Sequence, residues 1–268
     1  MVKLLRVNQS HRMRPIYVTQ AIVLRARPFG ESDKIVSLLT ESHGKVTGVA
    51  KGAKRSRKRF VNSLEPFSLV NLRFQDRPYS SLAFLVGSDL LLGFTHLLTS
   101  LEKVACASYL VEITDGVVGE REENHHVFEH LRDALAYLEK QEPSVLFVTR
   151  FELELLNLAG YRPALDRCRR CGNGRAGRAA GSWHFGFRDG GILCETCSKL
   201  RREIMPLSIA ALEVLSELQQ STPISEHNPS LAASVIREIR ALMPRFIQFQ
   251  TERELKSAPF LHDFSLGQ

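Results

Sequence analysis

The sequence predicts an α+β protein. An N-terminal antiparallel β-barrel of OB-fold type comes first, followed by an α-helical domain with an inserted four-cysteine, zinc-finger-like unit. Three observations carry this expectation. Apolar residues alternate with period two up to about residue 90 and recur with helical period beyond it. Four of the 5 cysteines stand as two C-x-x-C pairs. Charge is uneven: residues 1–90 hold 16 Lys/Arg against 6 Asp/Glu, and the remainder holds 20 against 23.

A chain of 268 residues suits two domains. A hydrophobic content of 44% excludes a disordered polyelectrolyte. The longest apolar runs, such as Leu82 to Val86, fall far short of the ~18 residues a membrane span needs. The expected boundaries are a basic leader over 1–16, a barrel over 17–90 and a helical domain over 91–268, with its cysteine unit at about 165–200. The leader carries Lys3, Arg6, Arg12 and Arg14 without an acid and lacks the apolar stretch of a secretory signal. It reads as a disordered arm or an upstream start before Met13; composition alone also permits a mitochondrial presequence.

The barrel strands follow in order. Ile22 and Leu24 alternate with Val23 and Arg25, and Ile35, Ser37 and Leu39 alternate with Lys34, Val36 and Leu38. Lys45 to Lys51 follows the turn at His43-Gly44; Leu69 to Phe74 and Leu82 to Val86 complete five short strands. Five strands in so short a stretch suit a small barrel; an SH3-like barrel or a sandwich has the same signature, and the OB-fold is preferred. Among the aromatic residues, Phe74 and Phe84 are expected to fill the interior.

Helical stripes then succeed one another. The first comprises Leu97, Leu101, Val104, Ala105, Leu110 and Ile113, and the second Val127, Leu131, Leu135 and Leu138. The third comprises Leu146, Val148, Phe151, Leu155 and Leu158, with Pro143 near its start and Gly160 at its end. Beyond the cysteine unit, Ser208 caps a helix from Ile209 to Leu218, and a last helix runs from Leu231 to about Leu255 with a kink at Pro244. Cys106, alone in a helical stripe, reads as a buried thiol.

The excess charge of the front half points to a polyanion, nucleic acid before anionic membrane. Its densest part is Lys51-Gly-Ala-Lys54-Arg55-Ser-Arg57-Lys58-Arg59, six cations in nine residues, which repel one another and belong in an exposed loop. With Arg25, Arg27, Lys34, Lys45 and Arg73 on the strands, the run would flank a cationic groove. Phe29, Phe60, Phe67, Phe74, Tyr79 and Phe84 interleave with it, and single-strand binders combine such a track with stacking rings.

The cysteine pairs are Cys168-Arg-Arg-Cys171 and Cys194-Glu-Thr-Cys197, separated by 22 residues. In the reducing, cytoplasmic compartment implied by the lack of a secretory signal, they read as ligands of one structural Zn²⁺; an iron–sulfur cluster or redox thiols are the other chemistries of this pattern. Four thiolates leave no open coordination position, so the metal would hold structure rather than activate water. A competing signature is His126-Val-Phe-Glu129-His130, an H-x-x-E-H that would make the chain a zinc-dependent hydrolase if both histidines shared a helix face. Phosphate-binding loops, dinucleotide fingerprints and nucleophile elbows are missing from the sequence.

From about Tyr17 to Phe260 the chain resembles the bacterial RecO recombination-mediator family. The resemblance is carried by Ala21-Ile-Val-Leu24, Phe29-Gly-Glu-Ser-Asp-Lys34, Leu39-Thr40 with Gly44-Lys45, and Ala50-Lys-Gly-Ala-Lys-Arg55. Leu64-Glu-Pro-Phe67, Leu158-Ala-Gly-Tyr-Arg-Pro163, Cys168 to Gly172 and Gly190-Gly-Ile-Leu-Cys194 continue it in order. The resemblance implies a non-enzymatic protein that binds single- and double-stranded DNA and anneals complementary strands. It implies work with RecR to load RecA onto DNA coated by SSB, in the cytoplasm at the nucleoid. It further implies a site for the acidic, apolar SSB tail, for which Arg237, Arg240 and Arg245 are the cations available on the last helix. A basic zinc-ribbon protein acting on RNA is the remaining alternative.

Overall fold

The computed structural model describes residues 14–175, 182–220 and 231–263. Five strands close a barrel in the order β1-β2-β3-β5-β4: β1 (Tyr17–Phe29), β2 (Asp33–Thr40), β3 (Lys45–Ala50), β4 (Leu69–Gln75) and β5 (Ala83–Leu92). Every pairing is antiparallel except β3 with β5, which is parallel. This is the arrangement of an OB-type barrel. The expected leader lies outside the described residues up to position 13.

Strand β1 reads as a continuous apolar run because both its faces are buried. Ala21 and Val23 point into the barrel, while Ile22 and Leu24 enter the core of the helical half. The register slips between Val23 and Arg25, and the alternation resets so that Ala26 packs inward while Arg25, Arg27 and Phe29 face out. Strand β5 corrects one expectation. Ala83 and Leu85 are the inward residues, so Phe84 lies on the outside, half-buried, whereas Phe74 fills the interior as expected. In the run Leu82 to Val86 every residue is apolar, and alternation cannot tell which face is which. The strand also continues to Leu92, paired along β4.

The helical half comprises α1 (Leu101–Val117), α2 (His125–Lys140) and α3 (Val145–Leu158), followed by the cysteine unit with β6 (Trp183–Gly186), β7 (Gly191–Cys194) and α4 (Glu195–Ser198). Strand β8 (Ile204–Leu207), α5 (Ile209–Gln220), α6 (Ala233–Thr251) and α7 (Phe260–Asp263) complete it. Ser100, Asn124 and Ser144 cap the first three helices by accepting backbone N–H bonds, and Ser208 does so for α5. The first helix therefore starts after Ser100, not at Leu97, which lies in a preceding 3₁₀ turn, and Leu101 is exposed. Gly160, at φ +80°, ends α3 as expected. Helix α1 is buried on most of its circumference because α2, α3, α6, α7 and β1 all surround it.

The sequence reading missed a three-stranded sheet, β7-β6-β8, whose β7 ends on Cys194. Trp183, Phe185 and Leu193 from this sheet, and Phe187 in the turn after β6, join the helical core, so the unit is built into that half rather than tethered to it. Between barrel and helices lies an apolar groove of about 1200 Å³ walled by Leu24, Phe67, Leu101 and Val104, with Arg25 and Arg253 at its rim. Among the described residues no helix is long and apolar enough to cross a membrane.

Candidate metal centre and nucleic-acid interface

The first cysteine pair sits in a turn that its own backbone closes. Gly172 N–H donates to Cys168 O at 2.9 Å, Cys168 N–H donates to Asn173 O at 2.9 Å, and Gly172 occupies φ +72°. The second pair straddles the end of β7 and the start of α4. A side chain on Gly191 would lie 2.5 Å from Ala164 O, so the approach of the two knuckles requires glycine there. The four Sγ atoms lie within 4.8 Å of one another. Zn–S bonds of ~2.3 Å in a tetrahedron place sulfurs about 3.8 Å apart, and Cys171 Sγ and Cys194 Sγ stand at 3.8 Å. A disulfide needs about 2.05 Å. The donor set thus fits a four-thiolate metal site.

Electrostatics agree. Donation of its S–H to the Cys194 sulfur, together with the crowding of the other thiols, pushes Cys197 up to about 12. Burial opposes ionisation of Cys168, but N–H groups of Cys171, Cys194 and Arg170 outweigh it and draw that thiol down to about 6. Four thiolates brought this close repel one another, and a bound cation offsets that repulsion. By contrast, Cys106 is buried in α1 and raised to about 12 by that burial.

The H-x-x-E-H residues do not assemble a comparable site. His130 stacks on Phe151 with ring centroids 4.3 Å apart, and its Nε2 lies 3.1 Å from Phe151 O. His126 projects outward with its Nδ1 3.7 Å from Glu129. Among the described residues the four cysteines are the only group of His, Cys, Asp or Glu that converges as metal ligands would.

The eleven cations singled out on the barrel sort into four kinds. Lys45 is buried, donating from Nζ to Asp115 O at 2.8 Å and pairing with its carboxylate at 3.2 Å. It joins the barrel to α1 and does not line an open groove. Arg25, Lys34 and Arg73 are exposed to different degrees but paired, with Asp115, Glu65 and Asp89 at 2.5, 2.9 and 2.5 Å. Lys54 and Arg59 are tied by hydrogen bonds to backbone carbonyls: Lys54 Nζ donates to Gly30 O in the turn between β1 and β2, and Arg59 donates to Lys51 O in its own loop and lies over the Phe60 ring. Arg27, Lys51, Arg55, Arg57 and Lys58 are exposed and make no ion pair or side-chain hydrogen bond among the described residues.

The basic run is therefore a folded turn. Ala53–Arg55 form a 3₁₀ turn, Ser56 Oγ accepts from Arg59 N and Phe60 N, and Phe60 anchors the segment in the barrel core. The carboxylates that pair with the strand cations lie up to 90 residues away in sequence, and local charge counting has no access to them. The three arginines of the last helix also separate. Arg240 is buried, Arg245 lies over Phe187 at 4.5 Å, and Arg237 is exposed, so they form no common pocket.

A closed OB-type barrel fused to a helical half with an embedded four-cysteine cluster defines a class of barrel-plus-helical proteins. Comparison with known proteins makes this specific. The family profiles described as recombination protein O N terminal and recombination protein O C terminal match residues 13–94 and 98–259. The chain belongs to the RecO family. It is 35% identical over 242 residues to the DNA repair protein RecO of Anaeromyxobacter dehalogenans (strain 2CP-C), covering 90% of this chain and 94% of that one. It is 33% identical to the RecO of Myxococcus xanthus (strain DK1622) and 31% identical to that of Syntrophus aciditrophicus (strain SB), each over 252 residues and 93% of this chain, with 98% and 96% of those relatives covered.

Proposed function

We propose that this protein is a DNA-binding mediator of recombinational repair that breaks no covalent bond. It binds single- and double-stranded DNA, anneals complementary strands, and with RecR helps load RecA onto SSB-coated DNA. The observation that carries the reading is the set of uncommitted cations, Arg27, Lys51, Arg55, Arg57 and Lys58, at one end of a barrel in a chain of this family. Each can neutralise a phosphate without first breaking an internal ion pair, which favours them over Arg25, Lys34 and Arg73. Phosphate contacts position the strand and carry no base information, as a protein serving any damaged sequence requires.

The four thiolates hold one structural Zn²⁺ in this reading. A filled coordination shell supplies folding energy and no reactive water. Holding β7 against the knuckle of Cys168 and Cys171 fixes the sheet whose Trp183 and Phe185 belong to the helical core.

The deciding experiment is annealing of complementary strands coated with SSB, using the full chain. Residues 1–90 alone would expose Ile22 and Leu24, which belong to the helical core. The reading predicts faster annealing than in the uncatalysed mixture, lost in Arg55→Gln/Arg57→Gln/Lys58→Gln. Higher affinity for structured RNA than for single-stranded DNA would favour the RNA-binding alternative.

A further inference from the structure

The aromatic residues of the barrel divide sharply in the fold. Phe60, Phe67 and Phe74 are buried, whereas Phe29 is 50% exposed at the end of β1, Phe84 is half-buried outside β5, and Tyr79 stands fully exposed between β4 and β5. Strand register places Phe29 and Phe84 on one surface. Arg27 lies opposite Ile35, Ile35 opposite Val49, and Val49 opposite Phe84, so all four share one side of the sheet, with Ile35 and Val49 buried beneath the flanking side chains. Phe29 stands two residues beyond Arg27, on the same side of β1.

This face is electrically polarised. At the Thr47 end, the connection between α1 and α2 pairs with the start of β3: Arg121 N–H donates to Lys45 O at 2.9 Å, and the Thr47 hydroxyl donates to Glu120 at 2.7 Å. Glu120, Glu122 and Glu123 are all exposed there and repel phosphate. At the Phe29 end stand Arg27, Lys51 and the basic turn. Three hydrogen bonds stitch the two together: Lys54 Nζ to Gly30 O at 2.8 Å, Lys54 N to Ser32 O at 3.0 Å, and Gly52 N to Asp33 Oδ1 at 2.8 Å. The turn that carries Phe29 is thus fixed beside the cations before any ligand arrives, so little ordering cost opposes stacking on its ring.

We propose that Phe29 and Phe84 are base-stacking residues of a single-stranded DNA track that crosses the barrel's outer face at its basic end. The inference rests on the DNA-binding reading above and adds what cations cannot supply, a preference for unpaired strands. Phosphates are offered by single strands and duplexes alike. The faces of bases are free only in a single strand, and aromatic stacking is tolerant of sequence.

The test compares full-length variants on a single-stranded oligonucleotide and its duplex at one salt concentration. Phe29→Ala should weaken single-strand binding about tenfold and leave duplex binding within about twofold. Adding Phe84→Leu, which nearly conserves volume, should weaken the single strand further. In Phe29→Trp, the introduced indole should be quenched by single-stranded DNA and not by duplex; the natural Trp183 is buried in β6 and gives a constant background. Equal loss on both forms of DNA, or no loss and no quenching, would overturn the stacking proposal. If Arg55→Gln/Arg57→Gln/Lys58→Gln weakens both forms while Phe29→Ala changes neither, the stacking fails and the DNA-binding reading stands. If the unsubstituted protein binds neither form of DNA, both fail together.

Discussion

The cysteine centre and the basic end of the barrel use side chains in opposite ways. The four cysteines converge on one another within 4.8 Å, and their surroundings act on them as a set. The cations of the basic end diverge into solvent, and each has its own fate: Lys45 buried, Arg73 paired, Arg57 free. A convergent site behaves as a unit, in which removing one member leaves the others mismatched. A divergent site is additive, since each charge interacts with ligand almost independently.

The largest effect belongs to the convergent site. Cys194→Ser should release the metal and destabilise the whole helical half, because β7 is continuous with its core. Losing a structural metal costs upward of about 4 kcal/mol. Zinc stoichiometry and a thermal melt are the measurements; an unchanged metal content with full stability would remove the metal assignment. Cys106→Ser, outside the set, should leave zinc content unchanged.

A buried carboxylate gives the next effect. Tyr109 donates a short hydrogen bond to Glu152 inside the helical core, where Arg240 is also buried. Burial raises Glu152 to about 7, against the opposing pull of Arg240 and the Tyr109 hydrogen bond. A raised folded value means that its contribution to stability is fully present below about pH 4.5 and lost as pH rises through about 7. Glu152→Gln should abolish that decline, a difference of at most about 3 kcal/mol between the two ends of the window. Denaturant melts at pH 5 and pH 8 check it, and parallel slopes in the two proteins would count against it.

Lys45 tests whether a cation at the barrel can belong to the convergent kind. Lys45→Met removes a buried partner of Asp115, which Arg25 still neutralises in part, and should cost about 2 kcal/mol. The salt dependence of DNA binding should not change. A flattened salt dependence at unchanged stability would return Lys45 to the phosphate-binding set.

The same contrast explains what the sequence discloses. The four-cysteine site was legible because metal chemistry fixes the spacing of its ligands locally, and the knuckle glycines announce themselves beside it. The barrel was legible from alternation, except where alternation was erased. The run around Phe84 is apolar on both sides, and β1 is apolar because the helices cover its outer face. The fates of Lys45, Arg25 and Arg73 were not legible, since Asp115 and Asp89 meet them only through the fold. The free cations remain as the residue of that sorting.

The smallest effect on stability, and the one that tests additivity, concerns those free cations. Arg55, Arg57 and Lys58 are exposed and carry no internal pair, so Arg55→Gln/Arg57→Gln/Lys58→Gln should leave the melting temperature unchanged. Single-strand binding gives a slope of log K against log salt of ~−0.7 per phosphate neutralised, so three lost contacts should flatten it by about 2. Lys54 and Arg59 are held by Gly30 O and Lys51 O and should add less than a full contact each when removed. Titrations at four or five salt concentrations measure the slope directly. Single variants should each contribute about a third of the change, the additive behaviour that the cysteines cannot show. A slope that collapses entirely with one substitution would mean that the basic end also acts as a unit. An unchanged slope in the folded triple variant would move the phosphate track to Arg27, Lys51 and the paired cations of the strands.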